Sequence, residues 1–249
     1  MLVLPSLGYE DTCAYRPLRV LAERLAEAGH LVQRLDWPGL GDSAGQAEDE
    51  GLVEACIELV RSCARGLRER GFLRVTGVAL RAGGLFAAAA GCLDDLVLWA
   101  PPKHGRAYLR HERVFHKLGE DSGPPPPEGC VEAGGFLYGA ATVRDLEALD
   151  LAQLLEAHPP RRLWSIPQAQ AELATLLVDP YRSALEPELA AKLVDWVEPG
   201  DERPCGTPDL DEQLEGPGWR ERPVLLVGGA GELSGVICEP LGGAPPPQA

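Results

Sequence analysis

Apolar positions along this chain alternate between two periods. Short unbroken runs, Leu2-Val3-Leu4 and Leu96-Val97-Leu98-Trp99-Ala100, read as strands buried on both faces. Residues 31–35, 73–78 and 161–166 read as further strands. Between them the apolar residues recur at i, i+3 and i+4. Leu18, Leu21, Ala22, Leu25 and Ala28 predict a helix over 15–28 that Gly29 ends, and a second amphipathic helix covers 50–70 and stops at Gly71. Residues 6–12 and 36–43 are rich in turn formers and read as loops, Gly8 supplying an unusual backbone conformation. Strand alternating with helix predicts an α/β fold: a mainly parallel sheet with helices on both faces.

After residue 102 the pattern changes. Helices are expected over 106–118 and 142–157, with a proline-rich stiff loop at 123–128 and a short strand or turn at 134–139. Residues 103–160 therefore read as a cap inserted into a core formed by 1–102 and 161–240. Pro167 opens a helix that continues over 168–177, and 185–197 is the last clear helix. A linker is expected over 198–222, then a β-hairpin with strands 224–227 and 233–238, then a disordered Gly/Pro tail over 241–249.

The centre of this pattern is LRVTGVALRAGGLFAAAA, residues 73–90: a β-rich run, a turn at Arg81-Ala82-Gly83-Gly84, and a helix of small residues. A strained strand-to-helix turn of this form, G-x-S-x-G, presents the nucleophile of α/β-hydrolases. Here the frame reads Ala79-Leu80-Arg81-Ala82-Gly83, with arginine at the serine position. Leu35-Asp36-Trp37-Pro38-Gly39-Leu40-Gly41-Asp42-Ser43 is similar to the R-x-D-x-x-G-x-G-x-S loop of that superfamily. With the Gly8 loop, the helix ending Ala28-Gly29-His30 and the strand ending Ala100-Pro101, these motifs make residues 1–101 resemble the α/β-hydrolase superfamily. The arginine, Gly105-Arg106-Ala107-Tyr108-Leu109, Ala133-Gly134-Gly135-Phe136 and Leu149-Asp150-Leu151 resemble hydrolase-like bacterial proteins associated with exosortase and polysaccharide systems. The superfamily places an antiparallel hairpin before its first parallel strand. The hairpin after residue 223 suggests a circular permutation that moves it to the C-terminal side.

The resemblance implies a catalytic triad whose three positions hold other residues. Arg81 keeps its proton and has no lone pair to attack with. Ile166-Pro167-Gln168 lacks the expected acid, and residues 179–187 lack the expected histidine. The chain is accordingly expected to be a pseudo-hydrolase that binds a small anionic ligand or a protein partner, with no catalytic residue, cofactor or metal. Arg81, Ala82, Gly83, Gly8 and Tyr9 are the candidate binding residues. A buried arginine needs a counter-charge, and Glu10, Asp36 and Asp150 are the candidates. The alternatives are an esterase, thioesterase or acyltransferase using a Cys13, Cys92 or Cys130 thiolate with His104, His111 or His116, and a structural subunit that pairs with an active homologue.

Charge and cysteine usage narrow these classes. A formal net charge of −15 argues against nucleic acid and anionic membrane as partners. No apolar run is long enough to cross a bilayer, and residues 1–11 carry no basic leader, so a cytoplasmic protein without a membrane span is expected. Seven cysteines without a C-x-x-C pair read as free thiols, and Cys56 with Cys63 share one helical face. No P-loop and no G-x-G-x-x-G following a strand occurs. Oligomeric pairing, homo- or hetero-dimeric, is compatible with the binding and subunit readings.

Overall fold

The computed structural model describes residues 1–41, 43, 45–118, 125–177, 179–197, 214–216, 219–228 and 231–240. The chain divides into two units, Met1–Gly200 and Asp201–Ala249. The first unit is an α/β fold around a five-stranded, all-parallel sheet. Its strands are β1 (Leu2–Leu4), β2 (Gln33–Arg34), β3 (Thr76–Leu80), β4 (Asp95–Trp99) and, later in the chain, β7 (Arg162–Ile166), in the order β2-β1-β3-β4-β7.

The unbroken apolar runs are unbroken because alternate side chains enter two different cores. Leu2, Leu4, Ala79, Leu96 and Leu98 belong to one apolar cluster, whereas Val3, Val78, Leu80, Val97 and Trp99 belong to the other. The first cluster is covered by α2 (Leu52–Glu69) and α3 (Gly83–Ala90), through residues such as Val60, Ala64 and Phe86. The second is covered by α1 (Gly8–Glu27) and by α8 (Pro187–Trp196), through Leu18, Leu21, Leu25, Leu189 and Leu193. Helices thus lie on both faces of the sheet, as the alternation of periods predicts.

Residues 103–160 form α4 (Gly105–Leu118), the hairpin β5 (Val131–Ala133) and β6 (Phe136–Tyr138), α5 (Ala140–Glu147) and α6 (Leu151–Ala157). Tyr108, Leu109, Val131, Tyr138, Val143 and Leu146 join the same cluster as α2 and α3, so this segment is packed into the core of the unit. The continuous helix expected over 142–157 is broken. Leu151 N donates to the Lys103 carbonyl at 3.0 Å, Gly105 N donates to Leu149 at 3.0 Å, and Asp150 caps α6 by accepting from Gln153 N at 3.1 Å. These long-range backbone bonds with residues 103–105 compete successfully with one more helical turn, and an aspartate is a favoured cap where a helix restarts.

Two further expectations are corrected. The loop expected over 6–12 is helical from Gly8, so α1 begins well before Tyr15 and carries Pro17 in its interior. The Leu7 position that precedes it has no side-chain cap, which removes the usual signal for a helix start. The helix expected over 168–177 is a 3₁₀ turn, Gln168–Gln170, followed by the single turn α7 (Leu173–Leu176), with Glu172 at φ +49° between them.

The second unit is an antiparallel sheet of its own: β8 (Leu214–Gly216), β9 (Trp219–Gly228) and β10 (Gly231–Pro240), with β9 in the centre. β9 and β10 form the expected hairpin, longer at both ends and paired in register from Gly228 with Gly231 to Trp219 with Pro240. Parts of the expected linker 198–222 are therefore strand. Its remaining residues, the tail 241–249 and the hairpin tip at 229–230 lie outside the described residues.

Candidate functional site

β3 delivers Arg81 to the C-terminal end of the sheet, and α3 starts two residues later. The turn between them requires Arg81 to adopt φ +49°, a left-handed conformation that costs a side-chain-bearing residue about 1–3 kcal/mol. Ala100, after the neighbouring strand β4, is at φ +49° as well. Backbone bonds hold both: Arg81 N donates to the Trp99 carbonyl at 2.9 Å and Ala100 N to the Ile166 carbonyl at 2.8 Å. Gly83 is needed for a separate reason. A Cβ there would strike the Pro5 carbonyl oxygen and stand 2.9 Å from that of Leu4, so only glycine lets α3 approach the end of β1.

The Arg81 side chain is buried, and Glu10 in the first turn of α1 is its counter-charge. Nε and Nη2 both lie 2.9 Å from Glu10 Oε1, and Nη1 donates to the Ala100 carbonyl at 3.4 Å. Glu10 is thus the partner among the three expected. Its second oxygen accepts from the Ser6 hydroxyl at 2.6 Å. A carboxylate in the first turn of a helix is also favoured by the helix dipole.

Side-chain donors fix the loop that carries Ser6. Trp37 Nε1 donates to the Ser6 carbonyl at 2.9 Å and approaches that of Pro5 at 3.2 Å, while its ring meets Phe86 edge-on at 5.2 Å. The Tyr108 hydroxyl donates to the Leu7 carbonyl at 3.3 Å. Gly8 follows at φ +56°, and a Cβ there would collide with the Tyr138 hydroxyl. Both Trp37 and Tyr108 stand within the motifs that carry the family resemblance, and they act on the same three-residue loop.

α4 brings two more titratable groups to this corner. His111 Nδ1 lies 3.7 Å from Glu10 Oε1 and 3.7 Å from Glu112 Oε1. The imidazole is 49 % exposed, whereas the Glu112 side chain is 2 % exposed, so the imidazole stands between solvent and two buried carboxylates. The adjacent Glu112 carboxylate raises the His111 pKa, burial opposes this, and Glu10 adds to it. Burial raises the Glu112 pKa, against a lowering influence of His111. Burial likewise raises the pKa of the Tyr108 and Tyr138 hydroxyls, with Glu112 and Glu10 adding to it in both. Glu112 Oε2 is buried without a hydrogen-bond partner among the described residues, while the buried Tyr138 hydroxyl interacts with that of Tyr108.

The five candidate binding residues are placed as follows. Arg81 is ion-paired and Ala82 is fully buried beside it. Gly83 is in contact with the end of β1, and Gly8 is in contact with Tyr138. Tyr9 is partly buried, and its ring lies against Gly134 in the β5–β6 turn. Ser6, Glu112 and Tyr138 are additional members that the sequence reading missed. Glu112 carried a signal: it lies one helical turn after Tyr108, on the same face of α4.

Other candidates are placed elsewhere or carry other roles. His104 Nδ1 accepts from Ala107 N at 3.0 Å and so helps start α4. His116 lies in α4, and its side chain is outside the described residues. Burial raises the thiol pKa of Cys13 and of Cys92, the reverse of what an activated nucleophile requires. Asp36 shapes its loop: its carbonyl accepts from the Ser43 hydroxyl at 2.8 Å, and its carboxylate closes against Gly41. Asp42 lies outside the described residues. A hollow of about 310 Å³ is lined by Tyr15, Arg34, Asp36 and Ser43, and another of about 280 Å³ by residues including His104, Glu147 and Asp150. No helix among the described residues is long and apolar enough to cross a membrane. In comparison with known proteins, no family model matches the chain, and no curated protein matches it.

Proposed function

We propose that this chain is a pseudo-hydrolase: an α/β-hydrolase-like protein that works by binding at the corner where a hydrolase would perform acyl transfer. The observation that carries the reading is Arg81. It occupies the strained left-handed position of the strand-to-helix turn, where a nucleophile would stand, and its charge is committed to Glu10. A guanidinium offers donors only and attacks nothing. The thiols of Cys13 and Cys92 are pushed towards their neutral forms by burial, which weighs against a relocated cysteine nucleophile.

On this reading the neighbouring loop from Pro5 to Gly8, held by Trp37 and Tyr108, serves binding. The antiparallel pair β9 and β10 is the counterpart of the hairpin that opens the superfamily sheet, moved by permutation to the end of the chain. A place in a bacterial exosortase or polysaccharide system rests on the motif resemblance alone.

Labelling with a fluorophosphonate probe, which captures activated serines, tests the reading, alongside iodoacetamide for thiolates. The purified chain is expected to remain unlabelled by the first and to be modified by the second only slowly at Cys13, which is buried. Stoichiometric fluorophosphonate labelling of the folded protein would overturn the reading.

A further inference from the structure

A buried carboxylate oxygen without a hydrogen-bond partner belongs to one of three potential metal ligands that meet in one corner. Glu10, His111 and Glu112 each offer one ligand atom, and these atoms all lie within 4.8 Å of one another. Two of the separations, from His111 Nδ1 to an oxygen of each carboxylate, are 3.7 Å. Ligand atoms bound at about 2.1 Å to one ion stand no more than about 4.2 Å apart, so the set needs only a small side-chain adjustment to close around a cation.

The unpartnered oxygen makes this more than a cluster of acids. The Glu112 side chain is 2 % exposed, and its Oε2 has no hydrogen bond. The fully buried Tyr138 hydroxyl interacts with that of Tyr108 and leaves the Glu112 oxygen unpaired. A buried carboxylate oxygen left without a partner carries a substantial desolvation cost that a bound cation removes.

We infer that Glu10, His111 and Glu112 bind a divalent first-row transition metal ion, with the half-exposed imidazole at the entrance and a coordination position open to a small ligand. The inference rests on reading this corner as a binding site and supplies its ligand class. Imidazole with two carboxylates suits zinc, manganese, iron or cobalt, whereas calcium takes six to eight oxygens. Arg81 and Ser6 act behind the first ligands. Ser6 holds the second Glu10 oxygen, and Arg81 holds the same Oε1 that faces His111, so a cation there shares that oxygen with the guanidinium. The guanidinium charge also opposes a second cation nearby, which makes the site weaker than the same donors would be without it.

The test titrates the full chain, freed of metal by a chelator and kept reduced, with Co²⁺, and reads the visible absorption bands. Oxygen and nitrogen ligation gives these bands without the thiolate charge transfer that cysteine binding would add. Saturable binding without thiolate absorption is expected, weakened on the order of 100-fold in His111→Ala, since loss of even an outer-shell partner costs roughly 10–100-fold. Glu112→Gln should behave likewise, and His104→Ala should bind as the parent does. The exposed position of His111 makes its variant the one that retains the fold, which circular dichroism verifies. Binding that survives His111→Ala, binding with thiolate absorption only, or no binding would each overturn the inference. Ester hydrolysis by a protein that binds Co²⁺ at this site would instead overturn the pseudo-hydrolase reading and leave the metal site standing.

Discussion

Arg81 reaches across from the turn after β3 to Glu10 in the first turn of α1, and two of its nitrogens share one carboxylate oxygen at 2.9 Å. The pair ties the strained turn to α1, and both members are buried. Removing one partner leaves a buried charge alone, which costs about 3–5 kcal/mol. Arg81→Met and Glu10→Leu should each lose stability on that scale in urea unfolding. The double variant should lose less than the sum by about 0.5–3 kcal/mol, the range for residues in direct contact. Strict additivity would contradict the pairing.

Two glycines in different settings make opposite predictions. Gly83→Ala forces a methyl against the Pro5 carbonyl and should cost about 1–3 kcal/mol through overpacking. Gly66 is in the interior of α2, with open space around a new Cβ and no positive φ. Gly66→Ala should therefore stabilise the protein by about 0.5–1 kcal/mol. Thermal unfolding of the two variants beside the parent measures both, and a stabilised Gly83→Ala would contradict the close approach of α3 to β1.

The thiols supply a third test. Burial raises the Cys56 pKa to about 12 and raises that of Cys13 as well. Alkylation of the native protein near pH 8 should spare both, where an unperturbed thiol of pKa about 8.5 would react. Both should be modified once denaturant is added. Peptide mapping after iodoacetamide treatment locates the modified residues, and rapid native modification of Cys13 would revive the cysteine-enzyme alternative.

Much of this architecture was legible because apolar periodicity reports burial directly. β4, α2 and α8 fall where the pattern predicts them, since each buries a whole strand or one clean helical face, whereas β3 begins at Thr76 and runs to Leu80, with Leu73 exposed before it. The start of α1 was not legible. Ser6 uses its hydroxyl on Glu10 and supplies no cap, so nothing local marks the first turn. The break between α5 and α6 depends on backbone bonds to residues 103–105, which no local window contains. Arg81 and Glu10 could be named from sequence because a buried cation requires a partner. Tyr138 could not, since it meets that corner only once the β5–β6 hairpin has formed, and the spacing of Glu112 from Tyr108 marked its helical face without marking what that face meets.

His30 gives a pH dependence with a defined sign. Burial, with the nearby Met1 amino group, lowers its pKa below the ordinary 6.5. Below 6.5 the unfolded chain therefore takes up a proton more readily than the folded one does. Its contribution to stability is intact above that value and is lost as pH falls through the folded pKa. His30→Gln should flatten the decline in melting temperature between about pH 7 and about pH 5, a window set by histidine titration. An unchanged slope would contradict the environment assigned to His30.

The most direct measurement is turnover of a panel of short- and long-chain p-nitrophenyl esters and acyl thioesters by the parent protein. Arg81→Ala and the alanine variants of His104, His111 and His116 serve as comparisons. The pseudo-hydrolase account predicts no turnover above background for the parent with any acyl chain. Turnover by the parent that one of these substitutions abolishes would contradict it, and loss in the Arg81 or His111 variant would place a catalytic site in this corner.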